Sequence, residues 1–242
     1  MKILTDLHTH TSASTHAYST LLENAKSAAE KGLELIAMTN HGPAIGDGAH
    51  EFHFYSNNMG VLPHEIYGVR ILKGIEANVL DLEGTLDIPE MAKPGLDLVI
   101  ASCHTPFHED DKVFQPRNED EFARLYENLA KNPIIDIIGH MNRTNFISNL
   151  DYVVPMLTQS GKIIEINTHF ALEKWKQELF NLIGACLKHK ARICVNSDAH
   201  FCYGIGNFAG IDNYLTEIDY PEELIVNLNK ATVFEWLNRR RR

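Results

Sequence analysis

Ile3-Leu4-Thr5-Asp6-Leu7-His8-Thr9-His10, near the start of the chain, is a short apolar run that ends in two histidines. Histidines two residues apart on an extended chain point to the same side. Similar runs, rich in Ile, Val and Leu, recur along the sequence. They span residues 3–7, 33–39, 69–75, 97–102, 134–139, 162–167 and 192–197. Such continuous apolar runs are typical of parallel strands buried on both faces.

Amphipathic stretches separate several of these runs and predict helices over residues 20–31, 118–131 and 173–190. The first opens with a capping box, Thr20 and Glu23, and the second begins with Asn118 as N-cap. Strands alternating with helices predict an α/β fold, and the length favours a closed parallel barrel over residues 1–242 as a single domain. Seven strands rather than eight would make that barrel irregular. Residues 41–68 fit the alternation poorly and predict a loop with one helical turn, whereas residues 221–237 predict a short helix.

Residues of the types that commonly bind metal ions follow six of the seven predicted strands. They are His8 with His10, His41, Glu76, His104, His140, and Asp198 with His200. The C-terminal ends of parallel strands share one face of a barrel, where such folds build active sites. A lone histidine is more often a capping or core residue, but six strands that all end this way indicate a common purpose. A catalytic zinc needs only three protein ligands, so this set predicts two or three metals.

Composition restricts the partners. With 22 Lys and Arg against 32 Asp and Glu, the formal charge is -10, which disfavours a stable nucleic-acid partner held by a basic face. The four cysteines form no C-x-x-C pair, no apolar run reaches membrane-spanning length, and residues 1–6 do not resemble a signal peptide. We therefore expect a cytoplasmic protein that binds a small substrate and no membrane.

The ordered motifs resemble those of the polymerase and histidinol phosphatase (PHP) superfamily of metal-dependent phosphoesterases. The matching stretches are His8-Thr9-His10, Thr39-Asn40-His41-Gly42, the lone His140, and Ser197-Asp198-Ala199-His200. Gly74-Ile75-Glu76-Ala77-Asn78 is similar to its small, single-domain bacterial branch. The resemblance runs from residue 6 to about residue 210 and implies a distorted (β/α)7 barrel with a trinuclear zinc centre. Relatives in this branch suggest a homo-oligomer, for which a trimer is one arrangement.

The resemblance implies a ligand set for each of three metals. The first metal is held by His8, His10, Glu76 and Asp198, the second by Glu76, His104 and His140, and the third by His16, His41 and His200. Imidazole and carboxylate ligands suit zinc, with manganese or iron as alternatives. The implied reaction hydrolyses a small phosphate monoester: the cations bind phosphoryl oxygens and lower the pKa of the attacking water. Glu76, Asp198 and His200 are the predicted catalytic residues, and the acid that protonates the leaving group stays open.

The chain departs from the family pattern in places. Many relatives carry Asp where Asn40 stands, and a carboxylate there could orient a ligand histidine. His169 is an additional histidine after the sixth strand, and it is a candidate phosphate contact, although we favour a polar rim residue. Arg143 and Arg117 are further candidates for binding phosphate, with solvated surface at least as good an interpretation.

Three alternative functions stay open at this point. Other superfamily members cleave phosphodiesters, so a nucleotide or a short nucleic-acid end is a possible substrate. Amidohydrolase barrels also begin with His-x-His, but they use a carboxylated lysine, and no lysine ends a strand here. A non-catalytic zinc-binding module is the third alternative, against which the complete set of ligands argues.

Overall fold

A computed structural model of the protein describes residues 1–106, 109–143, 149–169 and 175–240. Within these ranges eight strands form one sheet. They are β1 (Thr5–Thr9), β2 (Leu35–Met38), β3 (Glu65–Ile66), β4 (Val69–Asn78), β5 (Leu98–Ser102), β6 (Ile137–Ile138), β7 (Ile163–Asn167) and β8 (Ile193–Asn196).

Seven of these strands are parallel and follow the order β1-β2-β4-β5-β6-β7-β8. The predicted parallel barrel of seven strands is therefore confirmed. β3 pairs antiparallel with β4 through a turn at Tyr67 and Gly68, whose φ angles of 54° and 78° suit a tight hairpin. β3 lies within the segment predicted as a loop, because a strand of two residues is too short to show a period.

β1 and β8 meet along a seam that nearly closes the sheet into a barrel. Side-chain amides take the place of a full backbone ladder there. The Leu7 amide donates to Asn196 Oδ1 at 2.9 Å, and a single parallel bridge pairs Thr9 with Ala199. Asn227 joins the two strands lower down, because its amide group accepts from the Val195 N–H at 3.0 Å and donates to the Thr5 carbonyl at 3.1 Å.

Helices surround the sheet. They are α1 (Leu21–Glu30), α2 (Glu51–Phe54), α3 (Ser56–Met59), α4 (Glu119–Lys131), α5 (Leu150–Gln159), α6 (Lys176–Lys188), α7 (Ile211–Glu217) and α8 (Lys230–Arg240). α1 has the predicted capping box of Thr20 and Glu23, and Asn118 caps α4 through the Glu121 amide. No described helix combines the length and apolar character needed to cross a bilayer.

The helix predictions were wrong or incomplete in several places. α5 was missed because Pro155 within it resembles a helix breaker, and the seven-residue α7 is too short to show a clear period. The segment predicted as a loop contains α2 and α3, and the predicted C-terminal helix begins later, at Lys230. Residues 173–174 of the predicted helix over residues 173–190 lie outside the described residues.

The lower end of the barrel, where the strands begin, is filled with apolar side chains. Leu35, Leu72, Leu98, Ile137 and Ile163 pack there against one face of α8. That face consists of Val233, Trp236 and Leu237, all buried. Burial of this apolar surface is the main source of stability at this end. The upper end, where the strands finish, is left open by this arrangement.

Candidate metal centre

The upper end of the barrel carries the side chains singled out in the sequence. His8 and His10 extend from β1 and are fully buried, with ring centroids 5.1 Å apart. Gly139 lies at the end of β6, where a Cβ atom would be only 2.1 Å from Ser102 Oγ. Glycine is thus required for the chain to bring His140 close to β5.

Glu76, at the upper end of β4, lies at the centre of the cluster. Its Oε1 is 2.8 Å from His140 Nε2 and 3.2 Å from His104 Nε2. Its Oε2 is 2.7 Å from His41 Nδ1 and 3.2 Å from His8 Nε2. His10 Nε2 lies 3.5 Å from the same Oε2. One buried carboxylate is therefore shared among five imidazoles, an arrangement that suits a bridging ligand.

Asp198 provides the second buried carboxylate. Its Oδ1 lies 2.9 Å from His10 Nε2 and 3.5 Å from His8 Nε2, while its Oδ2 lies 3.1 Å from Arg143 Nη2. The backbone at Asp198 has a φ of 52°, in the left-handed region that aspartate tolerates better than most residues. His200 follows two residues later, and its Nδ1 lies 2.9 Å from the Asp198 carbonyl oxygen.

Several of these close approaches lack the angles of a hydrogen bond. Within the described residues, buried ligand-type atoms without a hydrogen-bond partner are His8 Nε2, both ring nitrogens of His10, His41 Nδ1, Glu76 Oε2, His104 Nε2, Asp198 Oδ1 and His200 Nε2. Leaving so many polar atoms unsatisfied in a protein interior is costly. Imidazole nitrogens and carboxylate oxygens aimed at each other are the donor set that Zn²⁺ and similar cations accept. The residues therefore fit a bound metal.

Three overlapping groups have ligand atoms within 4.8 Å of one another. They are His10, His41 and His200; His8, His10 and Asp198; and His41, Glu76 and His104. The first group differs from the predicted set of His16, His41 and His200 by having His10 in place of His16. The third differs from the predicted set of Glu76, His104 and His140 by having His41 in place of His140. His16 and His140 line the same cleft, where His140 bonds to Glu76 and His16 lies at the rim.

His16 occupies the solvent-facing side of the cluster, with 42% of its side chain exposed. Its Nδ1 lies 2.6 Å from Asp47 Oδ2, and its ring stacks on those of His41 and His200. The hydrogen bond to Asp47 raises the pKa of His16 and lowers that of Asp47. Asp47 therefore orients His16, a role that nothing in the sequence pattern indicated.

Glu165, on β7, is the most important residue that the sequence analysis missed. It is fully buried, and its Oε1 lies 2.7 Å from His8 Nδ1, while its Oε2 accepts the His140 backbone N–H at 2.8 Å. A carboxylate that binds the second ring nitrogen of a metal-ligating histidine fixes the ring and its tautomer. The available signal was a single charged residue within the apolar run of β7.

Other polar side chains hold the remaining ligands. Asn78 Oδ1 lies 2.7 Å from His104 Nδ1. Asn40 Oδ1 accepts from the Thr11 amide at 2.7 Å and from Ser14 Oγ at 3.2 Å, and Ser14 Oγ in turn accepts the His41 backbone N–H at 3.0 Å. The amide of Asn40 thus supports the loop beside His41 rather than a ligand ring.

Buried charges shift the pKa values of the central groups in opposite directions. Burial by itself would raise the pKa of Glu76, but His8, His41 and His104 hold it well below its usual range. Burial would lower the pKa of His8, yet Glu165 and Glu76 raise it well above normal. Burial, with His41 and His200 nearby, lowers the pKa of His10 well below normal. The lowered pKa values of Glu76 and His10 favour the ionised carboxylate and the neutral imidazole that metal binding requires, whereas the raised pKa of His8 favours a proton that a metal would displace.

The additional candidates from the sequence divide into two groups. Arg143 lines the cleft, and its Nη2 donates to Asn167 Oδ1 and to the His169 carbonyl oxygen at 2.7 Å. His169 also lines the cleft, 4.9 Å from the His200 ring. Arg117 does not line the cleft: its side chain is 79% exposed and pairs with Glu121.

The cluster opens into a cleft of about 400 Å³. Its described lining consists of His16, Tyr18, His41, Ile45, His104, His140, Arg143, His169, Asp198 and His200. A volume of this size accommodates a small molecule. The ligand cluster forms its floor, and Arg143 with Tyr18 belongs to its walls.

Comparison with known proteins agrees with this geometry. The PHP domain model matches residues 6–169. A probable phosphatase of Clostridium botulinum (strain Langeland) is 40% identical over 239 residues, which cover 98% of this chain and 95% of the relative. A probable phosphatase of Acetivibrio thermocellus is 39% identical, with 100% and 98% covered.

Among solved structures, the fold is similar to histidinol phosphate phosphatase from Lactococcus lactis, whose crystal structure contains zinc, L-histidinol and phosphate. The TM-score is 0.59, with 90% of this chain and 94% of that chain covered at 16% identity, so the likeness concerns the fold alone. Because the family model spans more than half of the sequence and the relatives match it almost from end to end, the chain belongs to the PHP family.

Proposed function

We propose that this protein is a metal-dependent phosphatase that hydrolyses a small phosphate monoester at a trinuclear, zinc-type centre. The observation that carries the proposal is the cluster of buried, unpartnered ligand atoms on the floor of the 400 Å³ cleft. The relatives named probable phosphatase support the reaction class. The zinc and phosphate in the histidinol phosphate phosphatase support the kind of centre.

The proposed ligands are those that the family resemblance implies. One metal would be held by His8, His10, Glu76 and Asp198, another by Glu76, His104 and His140, and a third by His16, His41 and His200. Bound divalent cations would supply positive charge to the phosphoryl oxygens and lower the pKa of a water molecule. Glu76 is suited to bridge two of the sites because its two oxygens face different histidines.

Residues of the chain itself prepare the cleft for a phosphate group. Arg143 brings a permanent cation to the wall, and its Nε is buried without a hydrogen-bond partner among the described residues. A guanidinium in this position suits an oxygen of a phosphoryl group. Glu165 keeps the His8 ring in place through Nδ1, which leaves Nε2 directed at the two central carboxylates.

The overall reaction transfers the phosphoryl group to water. A bond forms between the water oxygen and phosphorus, the bond from phosphorus to the ester oxygen breaks, and a proton goes to that leaving oxygen. The products are an alcohol and inorganic phosphate. The size of the cleft and the net charge of -10 favour a small monoester over a polynucleotide.

The test combines metal analysis with turnover. We expect about three metal ions per chain by elemental analysis, hydrolysis of 4-nitrophenyl phosphate, and loss of that activity after chelation. Bis(4-nitrophenyl) phosphate, assayed in parallel, distinguishes a diesterase. Diester turnover that exceeds monoester turnover would replace the proposal with the phosphodiesterase alternative, and a protein that binds metal without either activity would be a binding module.

Glu76→Gln tests the bridging carboxylate directly. The variant keeps the shape of the side chain but loses its charge, so we expect reduced metal content and a loss of turnover of about a thousandfold. Glu30→Gln, at an exposed residue on α1, is the matched control and should behave as the wild type. Full turnover in Glu76→Gln would disprove the proposed role of Glu76.

A further inference from the structure

A side pocket lies next to the cleft. This pocket has a volume of about 360 Å³ and shares Tyr18, His169 and His200 with the cleft. The rest of its described lining is Thr168, Ser197, Ala199, Phe201, Gly204 and Asn207. The three shared residues place this side pocket directly beside the cleft that holds the ligand cluster.

Two aromatic side chains line this side pocket and remain largely in water. Tyr18 is 80% exposed and Phe201 is 46% exposed. Hydrogen bonds join the two chain segments that carry them, because the Tyr18 N–H donates to the His200 carbonyl at 2.8 Å and the Cys202 N–H donates to Ser19 Oγ at 2.8 Å. The Phe201 ring is backed by Tyr203, with centroids 4.9 Å apart. Both rings therefore offer an exposed face on which a flat ring can stack.

The chemistry of the pocket argues against a charged occupant. Its described lining contains no lysine, arginine, aspartate or glutamate. Two of its hydroxyl groups already donate to the protein: Thr168 Oγ1 donates to the Asn196 and Asn207 carbonyls at 3.1 and 2.9 Å, and Ser197 Oγ donates to Asp6 Oδ2 at 2.5 Å. A neutral group that needs few hydrogen bonds fits such a space best.

We propose that the side pocket binds the leaving group of the substrate, and that this group is a neutral planar ring stacked against Tyr18 and Phe201. The inference rests on the proposed phosphatase function and adds the substrate class to it. An aryl group and a nucleobase share this chemistry. The anionic end of the substrate stays in the cleft, beside Arg143, while the ring lies beyond His200.

A pair of unactivated monoesters tests the preference. Benzyl phosphate and ethyl phosphate both release a primary alcohol, so they differ in the ring rather than in the reactivity of the leaving group. We expect kcat/KM to be at least about tenfold higher for benzyl phosphate, mainly through a lower KM. Thymidine 5′-monophosphate in the same series shows whether a nucleobase does better than a plain aryl ring. Equal kcat/KM for the ethyl ester and both ring-bearing esters would overturn the inference.

Variants locate the preference. Phe201→Ala and Tyr18→Ala should each reduce the benzyl to ethyl ratio of kcat/KM several-fold, about tenfold at most, and Tyr18→Phe should restore it. Tyr67→Ala is the matched control, since Tyr67 is also an exposed aromatic but lines a different groove. A ratio that does not change in Phe201→Ala and Tyr18→Ala would contradict the proposed stacking. A change of oligomeric state in Tyr18→Ala with no change in the ratio would contradict it as well, because the two rings would then form an interface.

Binding separates this inference from the proposed function. Benzylphosphonate and ethylphosphonate carry a P–C bond in place of the P–O–C ester linkage and are not hydrolysed, so calorimetric titration of the metal-loaded protein needs no turnover. Tighter binding of benzylphosphonate that disappears in Phe201→Ala supports the ring pocket even if neither ester is hydrolysed, an outcome that would refute only the phosphatase function. Equal binding of the two phosphonates, with normal monoester turnover, would refute only the ring pocket.

Discussion

The two ends of the barrel are built from the same strands and have opposite chemistry. At the lower end, Leu98 and Ile163 pack on Trp236 of α8, and all three are buried and apolar. At the upper end, Glu76 and Asp198 are equally buried but charged. Burial stabilises the first set and costs free energy in the second unless the charges find partners. The favourable free energy of apolar burial at the lower end therefore offsets the cost of burying charged groups at the upper end.

β4 shows the change within one strand. Leu72, Gly74 and Glu76 are spaced by two, so they point to the same side of the sheet. Leu72 belongs to the apolar lower cluster, and Glu76 is the centre of the ligand cluster. Gly74 lies between them, where a Cβ would come within 2.7 Å of Thr39 Cγ2. The transition from core to site thus takes only four residues, and it occurs where β4 packs closely against β2.

Trp236→Ala should have the largest effect on stability and should disrupt packing at the lower end alone. Removal of this buried ring leaves a cavity against the barrel floor, and we expect a loss of about 3–5 kcal/mol in the free energy of unfolding, measured in urea. Tyr203→Ala, at an exposed aromatic, should change it little. Metal content per folded chain should stay as in the wild type. If it falls in parallel, the two ends are not independent.

Glu165→Gln should affect the upper end alone. The substitution removes the charge that holds His8 Nδ1, so we expect metal affinity to fall about 10–100-fold in competition with a chelator. Glu30→Gln serves as the exposed control. An unchanged metal affinity would show that His8 does not depend on Glu165 for its orientation.

Arg143→Ala should reduce catalysis without reducing the metal content of the protein. The loss of a guanidinium beside Asp198 should lower kcat/KM for a phosphate monoester by about tenfold or more. Arg143→Lys should recover part of it, because a lysine retains the charge but not the planar fork. Arg117→Ala tests an exposed arginine and should leave kcat/KM unchanged. If the two alanine variants behave alike, Arg143 has no special role.

Acid should destabilise the upper end of the metal-free protein. Burial lowers the pKa of His10, His41, His140 and His200. Below their usual pKa of 6.5, the unfolded chain therefore binds protons that the folded chain does not. The free energy of unfolding thus decreases as the pH is lowered. His8 and His16 have raised pKa values, so the stability that they contribute is fully present below pH 6.5 and is lost as the pH rises.

Burial also lowers the pKa of His53 and His169, so six described histidines have lowered pKa values against two with raised values. We therefore expect a net loss of about 1 kcal/mol between about pH 7.5 and 5.5. Urea unfolding at the two pH values measures it. Val233→Ala, at the lower end, should lower stability by the same amount at both pH values, because Val233 packs within a cluster of apolar side chains. Stability that is constant or higher at pH 5.5 would contradict the pKa directions.

The sequence predicted the parts of the molecule that have a local or repeating signal. The seven parallel strands follow from apolar runs, and the capping box of Thr20 and Glu23 marks the start of α1. Predicted ligands from six strands lie together at one end because parallel strands all finish there. The pattern did not show β3, with two residues, or α5, which contains Pro155.

Glu165 and Asp47 were missed for another reason. Glu165 contacts His8 across 157 positions of sequence, and Asp47 lies in a loop whose conformation brings it to His16. Such supporting contacts depend on tertiary structure alone, so neither periodicity nor spacing reveals them. The sequence thus predicts the ligand residues better than it predicts the contacts that orient them.

The seam between β1 and β8 also sets an order of events in the cell. It joins Asp6 to Ser197 and Leu7 to Asn196, residues 191 and 189 positions apart. Contacts at such separation form late, after the chain between them has been organised. During synthesis the first ligand histidines leave the ribosome long before Asp198 and His200. We therefore expect the centre to be assembled and loaded with metal only after translation is nearly complete, while a ribosome-bound fragment that ends before residue 198 leaves His8 and His10 exposed to the wrong ions.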